Sequence, residues 1–471
     1  MRSRDHFGVF AFLLGAAVLF HQSKLDDWAI PSTGLAVTLG AVWLMLKPTS
    51  LPRFFGLLGL HAVTVPLDMP TVVNHWLLLF LAEVGLFVAV GVGRLQARRW
   101  TRDAGELYVA LAPYLRIQVA IVYGVAALSK LNSDFLDPAL SCAVELGGGL
   151  LDAGPMSLHA GWMDSFLIWG TIGIEIALPF LLLWRRTRVA AIFIGLAFHL
   201  ALALAGHLAF SGFAMAYYWL FAPDDASERF ERLLAARPRL ATLVRGLAAF
   251  WSSRIGSILA LGAALAGALA FEIGLGEWVS RGMLVLFVLA SAGLAWILAL
   301  CALADRTPVR FAPHPLRLAS PVWLLGPLLV VANALSPYVG LKTQSTFTMY
   351  SNLQTEGAQW NHAILPESLK RFDLQDDLVT IVASNDPAMQ RAAENDRRWV
   401  WAALRSWAQR HEDASITYEH DGKRYTAPRA GADERLAMGS VLTRLAFFRD
   451  VPPTPGNNCR VTRRAGSEQG S

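Results

Sequence analysis

The chain has 471 residues, of which 54% are hydrophobic and only 16% are charged, and its formal net charge is +5. Soluble globular proteins carry about 25% charged residues, so this composition excludes an ordinary soluble enzyme and indicates several membrane spans. The basic balance does not indicate a nucleic-acid partner, because the arginines lie in short loops between apolar runs, where they set membrane topology.

Neither the cysteines nor the N-terminus indicates a metal site or a secreted protein. Cys142, Cys301 and Cys459 are far apart in the sequence, and none belongs to a CxxC pair typical of a zinc knuckle or a redox dithiol. The segment MRSRDHFGVFAFLLGAAVLF has basic residues before an apolar run, but no small-residue cleavage site follows it. We interpret it as the first membrane span rather than a signal peptide.

Apolar runs follow one another through the first 335 residues. Several are shorter than the ~20 residues that an upright membrane helix needs, which indicates tilted, broken or re-entrant helices. We therefore predict an all-α multi-span membrane helix bundle with about 9–11 spans. The runs lie near residues 7–21, 33–46, 54–66, 75–93, 107–130, 163–184, 189–206, 208–222, 255–272, 282–303 and 320–335.

Basic loops alternate with acidic or neutral loops along these runs. Because basic loops face the cytoplasm, the N-terminus is predicted to be cytoplasmic, and an odd number of spans places residue 336 and its successors on the other side. The basic clusters lie at Arg2–Arg4, Lys47–Arg53, Arg94–Arg102, Arg185–Arg188, Arg229–Arg254 and Arg306–Arg317.

Residues after 336 have a different pattern, which predicts a small α+β domain outside the membrane. LVTIVAS (378–384) is typical of a buried strand, and residues 414–428 predict a hairpin that turns at Asp421-Gly422. Residues 388–411 predict one amphipathic helix, and residues 433–448 predict another.

We therefore divide the chain into three parts. A membrane domain covers residues 1–335, with additional spans at 250–335. An extracytoplasmic α+β domain covers residues 336–451, and residues 452–471 have a composition typical of a disordered tail.

Lys130 ends the fifth apolar run. One interpretation is a lysine that anchors a helix end by extending its amine to the membrane surface. The other is an amine desolvated by the apolar residues 125–128, because burial favours the neutral form, which can act as a base. Spacing alone does not choose between them.

Asn74, His75 and Glu83 lie in the fourth run. His75 and Glu83 are eight residues apart, on roughly the same helix face. Taken alone, this pattern is better explained by a capped helix start and a buried, hydrogen-bonded glutamate than by a reactive site.

Three further ionisable groups interrupt apolar runs. Glu175 lies in mid-span and must be protonated, paired or facing a cavity, with Arg116 as a candidate counter-charge and a structural helix–helix hydrogen bond as the alternative. His199 and His207 flank a predicted break at Gly206. No third ligand lies at a familiar spacing, so buried, hydrogen-bonded histidines explain them better than a metal site.

Residues 342–362, KTQSTFTMYSNLQTEGAQWNH, are rich in polar side chains directly after the last run. They predict either a pairing segment of the α+β domain or a lid over the outer mouth of the bundle.

Three of these stretches resemble the vitamin K-dependent gamma-carboxylase family and its bacterial relatives, the HTTM membrane proteins. GVAALSKLNSDFL is similar to the family's small-residue helix with its terminal Lys-Leu-Asn, NHWLLL to its Asn-His element, and FHLALALAGHLAFSGFAMAYYWLF to its Phe-His-Leu helix and following hairpin. SPYVGLKTQSTFTMYSNLQTEG also resembles a segment of bacterial members. The resemblance covers roughly residues 5–220 and 330–365.

The resemblance implies a lyase-type enzyme of the bacterial plasma (inner) membrane. Such enzymes deprotonate a reduced quinone (vitamin K or menaquinone-like) and let it react with O2. The strong base that results removes a proton from an acceptor, which then captures CO2. The resemblance implies that Lys130 is the base, that His75 acts in the same site, and that Asn74 orients the quinone. Asn132, His199 and His207 are implied to line the cofactor site.

The chain also departs from the family. It has no recognisable counterpart of the region that holds protein substrates in the animal enzyme, so the acceptor is unknown and carboxylation does not follow. The alternatives are a transporter or lipid-handling protein and a scaffold whose outer domain binds a partner. Inverted repeats would favour transport, and a scaffold would tolerate replacement of Lys130 and His75.

Overall fold

The computed structural model shows a mostly helical protein with a small sheet near its C-terminus. The predicted helical membrane bundle with a small α+β domain is confirmed at this level. The structure describes residues 2–24, 33–97, 103–152, 161–303, 308–312, 314–357, 359–437, 446–452 and 459.

Seven helical stretches within these residues are long and apolar enough to cross a membrane, and two shorter apolar helices accompany them. They indicate a membrane-embedded protein, while the number of spans stays a prediction. The helices before the sheet are α1 (Arg2–Lys24), α2 (Gly34–Leu46), α3 (Leu51–Asp68), α4 (Asn74–Ala97), α5 (Ala104–Ser129), α6 (Ser133–Leu136), α7 (Cys142–Asp152), α8 (Gly161–Leu183), α9 (Arg188–Leu202), α10 (Leu208–Trp219), α11 (Ala226–Ala236), α12 (Pro238–Ser252), α13 (Arg254–Glu272), α14 (Gly276–Leu303) and α15 (Leu325–Leu335).

The predicted break at Gly206 is confirmed. A π-helical turn, Ala203–His207, joins α9 to α10, and Gly206 within it has a φ of 97°. Only glycine adopts this conformation at little cost. The two predicted runs on either side therefore form one helical stretch with a kink.

The chain forms two compact units, which we call unit 1 and unit 2. Unit 1 contains residues 1–64, 78–121 and 177–328, and unit 2 contains residues 65–77, 122–176 and 329–471. In unit 1, α1 packs closely on α10, since a side chain at Gly212 would meet Phe20 and the backbone of Ala17.

Unit 2 contains a four-stranded antiparallel sheet in the order β2-β1-β3-β4. The predicted strand is confirmed as β1 (Leu378–Ser384), whose buried side chains Val379 and Ile381 face a core that includes Trp407. The predicted hairpin is confirmed as β3 (Ile416–His420) and β4 (Lys423–Ala427), with both turn residues at positive φ. This turn geometry favours the Asp-Gly pair.

The single helix predicted over 388–411 is wrong. The structure has α16 (Pro387–Glu394), a short strand β2 (Arg398–Val400) and α17 (Trp401–Ala408). Asp396 has a φ of 51°, so the chain leaves the helix there and pairs with β1. Asparagine and aspartate tolerate this left-handed conformation, which the apolar periodicity does not reveal.

Half of the helix predicted over 433–448 lies outside the described residues. Its described start is a short 3-10 turn, Glu434–Leu436, and residues 446–448 at its end are not helical. Most of the predicted tail also lies outside the described residues. Cys459, which is described, forms a disulfide with Cys142. The sequence did not indicate this pairing, because the two cysteines are 317 residues apart.

Gly340 and Gly422 provide a matched test of the junction after α15. Both have positive φ, but a Cβ at Gly340 would lie 1.9 Å from the Phe372 carbonyl oxygen, whereas nothing lies within 4 Å at Gly422. We expect Gly422→Ala to cost about 1 kcal/mol and Gly340→Ala to cost considerably more. Thermal unfolding of the purified variants checks this, and equal shifts in Tm would contradict it.

Candidate functional site

Lys130 follows the last residue of α5 and is buried, with 4% of its surface exposed. Its amine donates to Glu175 Oε1 at 2.9 Å and to the Met349 carbonyl oxygen at 3.2 Å, with a longer contact to the Ala126 carbonyl oxygen at 3.4 Å. The Phe135 ring centroid lies 5.7 Å from Nζ. Lys130 is therefore a buried, paired amine and does not extend to solvent, so the interpretation as a surface anchor is wrong.

The end of α5 explains why lysine and asparagine follow an apolar helix. The last carbonyl groups of a helix have no intrahelical partners and must be satisfied by other donors. Lys130 contacts the carbonyl oxygen of Ala126, and Asn132 Nδ2 donates to that of Ser129 at 2.7 Å. A cation is also favoured at the negative end of the helix dipole.

His362 completes this helix end. Its Nδ1 accepts the backbone N–H groups of Ile364 and Leu365 at 3.1 and 3.0 Å, so its Nε2 carries the hydrogen and donates to the Leu128 carbonyl oxygen at 3.1 Å. Burial lowers the pKa of His362, although the hydrogen bond to Leu128 opposes the shift. His362 is therefore a neutral structural donor.

Glu175 lies in the middle of α8 and is 7% exposed. One carboxylate oxygen, Oε1, is paired with Lys130, while Oε2 is buried without a hydrogen-bond partner among the described residues. A buried oxygen in this condition costs about 1–3 kcal/mol, so it requires an explanation. Oε2 of Glu175 is therefore the atom of the site that can accept a hydrogen bond from a bound molecule.

Asn132 connects α5 to the polar segment that follows the last apolar run. Its Oδ1 caps α6 by accepting the Phe135 N–H at 2.8 Å, and its Nδ2 donates to the Ser351 carbonyl oxygen at 2.5 Å. The side chain of this predicted cofactor-binding residue is therefore occupied by backbone groups and by a longer contact from Asn361 Nδ2 at 3.4 Å. It positions the segment that carries Met349.

The segment 343–356, which we call the buried loop, is largely enclosed but has no regular secondary structure. Four non-glycine residues in it have φ between 49° and 63°, and two of them are aromatic residues, for which this conformation is especially unfavourable. Strained backbone of this kind costs about 1–3 kcal/mol per residue and clusters at functional sites. The four residues are Ser345, Phe347, Tyr350 and Asn352.

Side chains from elsewhere in unit 2 hold the buried loop in place. Asn74, at the start of α4, accepts the Phe347 N–H at 2.7 Å through Oδ1. Asn352 Oδ1 accepts the Cys142 N–H at 2.8 Å, and Cys142 is disulfide-bonded to Cys459. The buried loop is thus fixed at Phe347 and at Asn352, on either side of the Met349 carbonyl.

The structure gives the partners of three predicted site residues, Glu175, Arg116 and Glu83. Lys130, rather than the predicted Arg116, is the counter-charge of Glu175. Arg116 Nε donates to the Leu220 carbonyl oxygen at 2.8 Å, so it serves a helix end in unit 1. Glu83 is paired with His61, whose Nδ1 lies 2.7 Å from Glu83 Oε2, as the interpretation of a buried, hydrogen-bonded glutamate requires.

The predicted histidines are distributed over both units. His75 is buried next to Asn74 in unit 2, and its meeting with Lys130 stays a prediction. His199 and His207 belong to unit 1, where His199 is buried among the rings of Phe198, Phe210 and Tyr218. Among the described residues, no three His, Cys, Asp or Glu side chains are grouped to hold a metal ion.

The sequence did not indicate the Met349 carbonyl oxygen as a partner of Lys130. A backbone acceptor has no sequence signature. Lys342, outside the spans, is not placed in the site by any contact among the described residues, although burial lowers its pKa to about 8.

The Lys130–Glu175 pair can exchange a proton without changing its net charge. An ammonium beside a carboxylate and an amine beside a carboxylic acid have the same heavy-atom geometry, and both have zero net charge. Such pairs are tolerated in a buried site when further hydrogen bonds satisfy them, as Met349 does here. The pair is therefore suited to proton transfer.

The fold and this site define a helical membrane protein with a buried lysine–glutamate pair beneath a strained, non-helical loop. A comparison of the chain with family models, with curated proteins and with solved structures finds no match to any of them. The resemblance to the gamma-carboxylase family consequently stays a prediction.

The disulfide gives a direct test of how the buried loop is fixed. We expect alkylation of the denatured, unreduced protein to modify only Cys301, and alkylation after reduction to modify all three cysteines. Mass spectrometry of the alkylated chain measures the count. Three modified thiols without reductant, in protein prepared from its native membrane, would show that Asn352 is not held in this way.

Proposed function

We propose that this chain is an integral membrane enzyme in which Lys130 and Glu175 together remove a proton from a weakly acidic hydroxyl group of a lipid-soluble reduced quinone. The observation that carries the proposal is the buried Glu175 Oε2, an acceptor without a partner among the described residues, on a carboxylate that already contacts an amine.

The residues present fit a reduced quinone. Its hydroxyl group supplies the donor that Glu175 Oε2 requires, and its ring suits a site with the aromatic side chain of Phe135 beside the amine. When bound, the quinone would supply an acidic hydroxyl and the reducing equivalents for a reaction with O2.

In this proposal Oε2 of Glu175 accepts the proton. This refines the expectation that Lys130 alone is the base. Lys130 as an ammonium has three N–H donors, and the Glu175, Met349 and Ala126 oxygens accept them. Glu175 takes the hydroxyl proton on Oε2, and Lys130 remains an ammonium that balances the negative charge left on the quinone oxygen. The pair thus acts as one base.

Exclusion of water is the second requirement, because water would quench a strong base before it reached a carbon acid. Lys130 and Glu175 are both more than nine-tenths buried, and the neighbouring buried loop supplies backbone contacts where solvent would otherwise reach them. The strain of the buried loop is consistent with a fixed cover over the pair.

The exposed face of α8 supports access from the lipid phase. Trp162, Phe166, Trp169 and Ile176 are exposed, and they share the helix with the buried Glu175. Large apolar side chains that remain exposed in a membrane helix are suited to contact with lipid. A prenylated ligand could therefore approach Glu175 along α8 without crossing water.

The site and the α+β domain are proposed to lie on the extracytoplasmic side of a bacterial inner membrane, with the N-terminus in the cytoplasm. The Cys142–Cys459 disulfide supports this orientation, because disulfides persist in oxidising compartments.

Replacing the pair tests the proposal. We expect Lys130→Met and Glu175→Gln each to lower the O2-dependent conversion of menaquinol to its epoxide by about 100-fold or more, the usual contribution of a general base. Lys130→Arg should not restore it, because the longer, planar guanidinium does not reproduce the contacts of the ammonium with the Glu175, Met349 and Ala126 oxygens. Lys370→Met, which removes a lysine paired with Asp376 in the α+β domain, is the matched control and should retain turnover.

A double variant separates chemistry from stability. Removing one partner of a buried ion pair costs about 3–5 kcal/mol, whereas replacing both by apolar residues is often neutral. Lys130→Met/Glu175→Met should therefore recover the Tm that Glu175→Gln loses, yet remain inactive. Turnover restored together with stability would show a purely structural pair. Wild-type protein that neither retains nor converts a quinone would contradict the proposed substrate.

A further inference from the structure

A second buried acid lies in unit 1. Glu83 on α4 is 1% exposed, and its Oε2 lies 2.7 Å from Nδ1 of His61 on α3, which is also fully buried. Glu83 Oε1 is buried without a hydrogen-bond partner among the described residues. Since such an oxygen is costly to leave unsatisfied, it indicates a bound polar molecule.

Two tyrosine hydroxyl groups lie near this carboxyl group. Tyr114 on α5 and Tyr217 on α10 both interact electrostatically with Glu83 and with each other. Tyr114 Oη donates to the Ala82 carbonyl oxygen at 2.7 Å, within the same helical turn as Glu83. Tyr217 Oη is buried and has no partner in the described part of the chain. Two unsatisfied polar atoms therefore belong to one group of side chains.

Small residues place the Tyr114 hydroxyl against this group. A Cβ at Gly85 would lie 2.4 Å from Tyr114 Oη, and a Cβ at Gly326 would lie 1.9 Å from it. Tyr114 can occupy its position only because both residues are glycine. The close packing gives the group a fixed geometry that solvent-exposed polar clusters lack.

The titratable groups around Glu83 come from five helices. His21 on α1 interacts with His61, and the remaining members are the two tyrosines and Glu83 itself. Arg116 lies on α5 with Tyr114, but its guanidinium donates to the carbonyl oxygens of Leu220 and Pro315. Arg116 therefore does not belong to the group around Glu83, and every member of that group can be uncharged.

We propose that Glu83, His61 and Tyr217 form a second site, which holds ordered water and one exchangeable proton. Glu83 Oε1 and Tyr217 Oη bind the water, and the proton lies between Glu83 and the imidazole. Uptake removes the proton from a hydronium ion and leaves water, so atoms and charge balance. Chains of this kind conduct protons in membrane proteins.

The neutral form of the pair is the expected resting state. A carboxylic acid beside a neutral imidazole needs no buried charge, whereas a carboxylate beside an imidazolium places two charges in a low-dielectric interior. A buried water needs two to four polar partners, and the site supplies at least Glu83 Oε1 and Tyr217 Oη. If the Glu83–His61 hydrogen bond were only structural and no water were bound, neither Glu83 Oε1 nor Tyr217 Oη would have a role.

Infrared spectroscopy of the full-length protein in detergent tests the site. We use the Lys130→Met/Glu175→Met background, in which Glu175 cannot contribute a carboxylic-acid band. Glu356, which is also buried, remains, so the band is assigned by its loss on Glu83→Gln. We expect a carboxylic-acid C=O band that shifts in D2O and disappears on Glu83→Gln. A band with no shift in D2O, or no difference on Glu83→Gln, would overturn the proposal.

Tyr217→Phe provides a second variant that barely changes shape. Loss of the hydroxyl should weaken the hydrogen bond to Glu83 through water and move the C=O band to higher frequency. Tyr108→Phe, which removes another buried tyrosine hydroxyl of unit 1, is the matched control and should leave the band in place. Equal effects of the two variants would show that Tyr217 does not belong to the site. The outcome is independent of quinol turnover.

Discussion

The contact between Lys130 and Glu175 is the constraint on which the rest of unit 2 depends. Either side chain alone would place an uncompensated charge in a buried environment, at a cost of several kcal/mol. At 2.9 Å each compensates the other, but only if the end of α5 and the middle of α8 are held together. The amine also requires further acceptors, which is why the Met349 carbonyl must reach it. A single ion pair thus dictates where a non-helical segment must run.

The buried loop brings the Met349 carbonyl to Lys130 only by adopting an unfavourable backbone conformation. Strained residues persist only where their surroundings over-determine them, and here asparagine side chains do so. Asn74 binds the N–H of Phe347, Asn132 binds the carbonyl of Ser351, and Asn352 is itself bonded to Cys142. Amide side chains suit this task because each offers both donors and an acceptor without a charge. Residues that the sequence suggests as ligands therefore act as supports for the backbone.

Composition and periodicity predicted the apolar helices of the first 335 residues, the hairpin and the kink at Gly206, since each depends on local chemistry that adjacent residues display. Lys130, Glu175 and Glu83 were recognised individually for the same reason: a charge within an apolar run is conspicuous. Their partners were not, because pairing depends on which helices pack together. From the sequence, Arg116 was an equally good counter-charge for Glu175. Nothing in the sequence shows that its guanidinium instead donates to the Leu220 carbonyl oxygen. The helix break at Asp396 and the Cys142–Cys459 bond have the same origin in tertiary contact.

Glu175 and Glu83 differ in a way that their partners explain. The Lys130 amine lies 2.9 Å from Glu175 and offsets part of the cost of a buried carboxylate, so Glu175 can take a proton from a weak acid. An imidazole is neutral near pH 7, so Glu83 beside His61 gains nothing from ionising and is better suited to retain a proton. Oε2 of Glu175 is therefore suited to accept a proton from a bound donor, and Oε1 of Glu83 is suited to bind water. Exchanging the two partners would exchange these properties, because each glutamate has the same chemistry and a similar degree of burial.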